Sequence, residues 1–167
     1  MKKEPSMKLR PLGALLLLGL GSTIVHAVDT GPPAEPPGQG VAAADALAPA
    51  REAIQAKRWA EAISALRRVN DPSSADWNNL MGFALRKSTP PDLAAAERYY
   101  DAALRIDPMH RGALEYSGEL YLMKNDLPRA QARLAQLHKA CPQGCEPLED
   151  LKADIAAFKA RAKTPAR

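Results

Sequence analysis

Aromatic side chains are scarce in this 167-residue chain: two Trp, two Phe and four Tyr. None of them interleaves with a run of Lys or Arg, so the stacking platforms and basic stripes of a nucleic-acid binder are missing. No stretch alternates apolar and polar residues convincingly, which leaves no strand to assign. No Gly-rich phosphate loop occurs. Ser22, Ser64, Ser73, Ser74 and Ser117 all lack the surroundings of a nucleophile elbow. No His follows Cys145, so a haem-attachment motif is absent. These absences exclude the common enzyme classes and leave no cofactor to expect.

Hydrophobic runs are also short. The longest, residues 12–25, has 14 residues and includes Gly13, Gly19 and Gly21. A spanning helix needs about 20 apolar residues. Lys2, Lys3, Lys8 and Arg10 precede this run, and Val25-His26-Ala27 follows with small residues where a signal peptidase reads. The expected reading is a signal peptide over 1–27, cleaved after Ala27, and export to the periplasm. No Cys stands near the cleavage point, which argues against a lipoprotein. Residues 1–27 carry four Lys/Arg and one Glu, so their removal takes the net charge from +4 to +1. The high pI therefore reports mostly the signal. Residues 28–41 follow as a linker; four prolines and three glycines crowd positions 28–40. Such a segment cannot hold a helix or bury a core.

From residue 42 the chain turns to Ala, Leu, Arg and Glu, all good helix formers. Apolar spacing and breakers predict seven helices, at about 45–56, 59–69, 75–86, 90–106, 111–124, 126–140 and 146–162. Thr89 is expected to cap the fourth, with Pro90 in its first turn. The second, fourth and sixth helices repeat one another. Ala62, Ala96 and Ala130 stand 34 residues apart, as do Trp59, Leu93 and Leu127; Leu66, Tyr100 and Leu134; and Val69, Ala103 and Leu137. A fixed interval of matched small and large positions means one supersecondary unit used several times.

These positions resemble tetratricopeptide repeats, whose 34-residue unit is a helix–turn–helix. The third unit matches best, through Gly118, Tyr121, Ala130, Leu134 and Pro142. The second matches through Gly82, Leu85, Ala96, Tyr100, Ala103 and Pro108. Its inter-helix turn is two residues longer, because Gly82 and Gly118 are 36 apart. The first keeps only the second-helix pattern and lacks the first helix's Gly and aromatic. The resemblance implies an all-α, right-handed superhelix of about three units (about 43–74, 75–108 and 109–142). A Cys loop and capping helix (143–162) and a tail (163–167) complete it.

In this family the first helix of each unit lines a concave groove. That places Arg51 and Ile54, then Asp76, Asn79, Phe83 and Arg86, then Glu115, Glu119 and Leu122 toward a partner. The resemblance implies a non-enzymatic scaffold that binds a peptide or protein there. Glu115 and Glu119 stand where a clamp for a terminal carboxylate would need cations, so a basic or mixed-charge partner fits better. No nucleic acid and no membrane span of the mature chain is expected, and the chain is read as a monomer or weak homo-oligomer. The two acidic residues, at helical spacing, read as a solvated face. His110 reads as exposed and unpartnered, and Trp77 and Tyr116 as packing or groove-edge rings.

Cys141 and Cys145 are the only cysteines. In an exported chain a close pair reads first as a disulfide, here one that ties the capping helix to the third unit. The alternative is a periplasmic metal-binding or thiol-redox protein that uses this pair with His138.

Overall fold

A run of Ala, Leu and Arg folds as helices, and Asn, Asp and Pro interrupt it. The computed structural model describes residues 45–163, so the expected signal and linker and all of the tail but Lys163, which ends the last helix, lie outside the described residues. Among the described residues seven helices follow in order: α1 (Ala48–Gln55), α2 (Trp59–Val69), α3 (Ala75–Lys87), α4 (Leu93–Ile106), α5 (Arg111–Met123), α6 (Leu127–Ala140) and α7 (Glu146–Lys163). No strand occurs among the described residues. Four helices start on a side-chain cap. Ser74, Asp92, His110 and Asp126 accept the backbone N–H of Trp77, Ala95, Ala113 and Arg129, respectively.

Asp92, not Thr89, therefore opens the fourth helix, and α4 starts at Leu93 rather than at Pro90. One backbone bond explains the shift. Within units one and three, the N–H of Arg58 reaches the carbonyl of Ala53 and that of Asp126 reaches Tyr121, each at 2.8 Å. In unit two the matching N–H of Asp92 reaches Leu85 at 3.1 Å. The same closure is kept, and the two additional residues loop out inside it. In the shorter turns Lys57 and Asn125 take positive φ (56° and 58°) next to that bond.

The helices form antiparallel hairpins, α1–α2, α3–α4 and α5–α6, stacked side by side with α7 across α5 and α6. This is an all-α helical superhelix with a terminal cap. Ala62, Ala96 and Ala130 are all fully buried, as small positions at a close helix crossing should be. Ala50 is fully buried too. It stands twelve residues before Ala62, as Gly118 stands before Ala130, so the worn first unit fills its small slot with Ala. Trp77 is buried and donates its indole N–H to the carbonyl of Leu66 at 2.7 Å, which joins unit two to unit one. The larger apolar cluster spans α4 to α7 around Tyr100, Leu114, Leu120, Leu137, Leu148, Leu151 and Ile155.

A disulfide joins Cys141 to Cys145, with Cα atoms 5.9 Å apart. Gly144 makes the tight loop possible, because its φ of 90° suits a residue without a Cβ. Cys141 is itself buried in the cluster that holds Leu148 and Leu151 of α7. The bridge therefore fixes the start of the cap against the end of α6.

Candidate functional site

The first helices of units two and three, α3 and α5, carry most of the polar side chains of interest. Arg86 is a long cation near the end of α3, yet only 4% exposed. Its Nε donates to the hydroxyl of Tyr100 at 3.3 Å, and its NH1 pairs with Glu119 of α5. The guanidinium also lies over the rings of Phe83 (5.4 Å) and Tyr116 (5.6 Å). Burial works against the charge, but Tyr100 and Glu119 outweigh it and hold the pKa above its usual value. Its NH2 is enclosed without a partner. Phe83 meets Tyr116 at 4.7 Å and the edge of Trp59 at 6.1 Å, so one aromatic seam runs from unit one to unit three.

Glu115 corrects the expectation of a solvated acidic face. It is 7% exposed, and Glu119 is largely covered as well. The cause is α7, which packs on α5 and brings Glu146 and Asp150 toward Glu115. Burial pushes the Glu115 carboxyl up to about 7, and the negative charges of Glu119, Asp150 and Glu146 push the same way; Arg86 opposes them. The folded value lies above the unfolded one of 4.5, so folding takes up a proton here. Glu115 therefore lowers stability progressively as pH rises between those two values, and the penalty is complete above the folded one.

His110 is also corrected. Its Nδ1 caps α5 through Ala113 at 3.1 Å, and its Nε2 meets Asp76 of α3 at 3.0 Å. Its side chain is only 13% exposed. A histidine two residues after a proline, 34 residues from an aspartate, was the available signal, and a cap by His is rare enough to hide it. Asp76 is exposed and also pairs with Arg51 of α1 at 3.5 Å, so three units meet through this carboxylate. Asn79 is buried, with its Oδ1 lacking a partner. Ile54 and Leu122 are half-buried. A cavity of about 220 Å³ opens between α3, α5 and α7, lined by Arg86, Glu119, Leu122, Met123, Asp154 and Arg161.

Of the residues expected in the groove, Phe83, Arg86 and Glu119 thus form one connected cluster. Arg51 and Asp76 form a second pair at the α1–α3 end. Tyr116, Glu146, Asp150 and Asp154 belong with the first cluster and were missed as site residues. The α7 three lie outside the repeat register, so the 34-residue interval could not point to them.

The architecture and these stacked first helices define a TPR-like helical repeat. Among solved structures, the chain is similar to the Yersinia enterocolitica type III secretion translocator chaperone SycD, with a TM-score of 0.61 at 15% sequence identity. The match covers 71% of this chain and 84% of that one. At this identity the likeness speaks for the fold alone. No protein-family model matches the chain, and no curated protein matches it.

Proposed function

We propose that this chain is an exported tetratricopeptide-repeat adaptor of the periplasm, without catalytic activity, that binds a protein or peptide on the face built by α1, α3, α5 and α7. The observation that carries this reading is the cavity between α3, α5 and α7, where Leu122 and the half-exposed Met123 lie beside Arg86 and Glu119. Mixed apolar and charged lining suits a peptide, which offers both kinds of group. SycD is a translocator chaperone, and the likeness to it supports a protein-binding role without identifying the partner. Export rests on the basic start, apolar run and Val25-His26-Ala27 of the sequence.

Photo-crosslinking residues placed at Asp76 and Met123, on first helices, should capture a partner in cells that residues placed at Ile106, exposed on α4, do not. Equal capture from both faces would refute the concave assignment. Fractionation with N-terminal sequencing should return a periplasmic chain that starts at Val28.

A further inference from the structure

The cavity between α3, α5 and α7 is lined by three kinds of chemistry. Its most covered members, Arg86 and Glu119, pair with each other, so their charges offset. Leu122 and Met123 follow Glu119 at i+3 and i+4, on the same side of α5. Met123 is 51% exposed and so open to contact. From α7 come Asp154 and Arg161. Both are exposed, and neither hydrogen-bonds nor ion-pairs with any described residue. They lie two turns apart on one side of α7, about 10 Å along its axis. The uncommitted charges of the cavity are therefore one carboxylate and one guanidinium, with apolar surface beside them.

We propose that this cavity takes one large apolar side chain of the bound protein segment, bracketed by a basic residue of that segment on Asp154 and an acidic one on Arg161. The inference rests on the concave-face reading above and gives its partner a charge pattern. At about 220 Å³ the cavity is smaller than the roughly 300–1,000 Å³ of small-molecule sites, so it suits one side chain carried on a longer chain. Leu122 and Met123 supply the apolar contact, and the unbranched thioether of Met123 adapts to side chains of different shape. A segment charged with one sign would meet one attraction and one repulsion from α7. A segment with both signs meets two attractions. In an extended segment, side chains two residues apart share a face. A charge, an apolar residue and the opposite charge at alternate positions then span about 13 Å, which covers the distance from Asp154 to Arg161.

The order of the partner's charges then matters as much as their presence. A segment docked in one direction must present its cation to Asp154 and its anion to Arg161; exchanging them sets each against its like. Exchanging the two charges on α7 should therefore exchange the order that the partner carries.

The test is a phage-displayed random dodecapeptide library, panned on the full chain. Recovered peptides should share a large apolar residue with a basic residue on one side and an acidic one on the other, in one preferred order. The double variant Asp154→Lys, Arg161→Glu should recover the opposite order and prefer it by about tenfold or more. Both positions are exposed, so this variant should melt with the parent. Should it misfold, Asp154→Asn and Arg161→Gln give the second reading: each should weaken the parent's peptides up to about fivefold, as an exposed ion pair does. Met123→Ala should weaken peptides of either order alike. Peptides that crosslink at Asp76 and Met123 but lack the two flanking charges, or that bind the doubly reversed variant as well as the parent, overturn the bracket and leave the concave reading intact. Peptides that crosslink only at Ile106, or no recovery above background, count against both.

Discussion

Gly82 and Gly118 hold the same slot in successive units, yet different helices fill the space above them. A Cβ on Gly82 would fall 2.7 Å from the ring of Tyr100, on the partner helix of the same hairpin. A Cβ on Gly118 would fall 2.5 Å from Leu151, which belongs to the cap. Leu134, the expected counterpart of Tyr100, is only half-buried. The repeat thus specifies that a backbone must be approached closely at this position, but not by what. Unit two uses the slot to close itself, and unit three uses it to receive α7. Asp92 and Asp126 are the opposite case: matched positions that cap α4 and α6 in the same way.

The sharpest way to break the contrast is at Arg86, which holds the hydroxyl of Tyr100. Arg86→Ala leaves Glu119 without its cation and should destabilise the fold by about 3–5 kcal/mol, measured by urea unfolding. A loss under about 1 kcal/mol would mean that Tyr100 is held by ring packing alone. Next come the glycines. Gly82→Ala and Gly118→Ala should each cost about 1–3 kcal/mol from overpacking. Their coupling to Leu151→Ala should separate them. In a double-mutant cycle the Gly118 variant is partly relieved, and the Gly82 variant is simply additive. Additivity at both positions would erase the difference between the two slots. The smallest effects belong to the caps: Asp92→Ala and Asp126→Ala should each lose about 1 kcal/mol and agree within a few tenths. Unequal losses in thermal melts would show that even this matched pair has diverged.

The helices, the three hairpins and the two-residue expansion of unit two were legible because they follow from period, breakers and interval. Helix ends were read to within a few residues, and the start of α4 was missed because the Asp92–Leu85 bond is a matter of closure, not propensity. The site was legible only in part. Position along each first helix placed Phe83, Arg86, Glu115 and Glu119 on one face. The burial of the two glutamates was not readable, because it depends on α7, whose approach over Gly118 is set by tertiary packing. The same covering turned an acidic face from solvated to enclosed, while contacts with α5 and α3 turned His110 from an exposed turn residue into a cap that also meets Asp76.

The Asp92–Leu85 bond has one more consequence. It clamps the ends of α3 and α4 together while residues 88–91 bulge outside the clamp. The spacing of the helices is thereby uncoupled from the length of chain between them. This turn is the natural graft point of the molecule, where an epitope or a tether could be spliced in while the two helices and the face they present stay where they are.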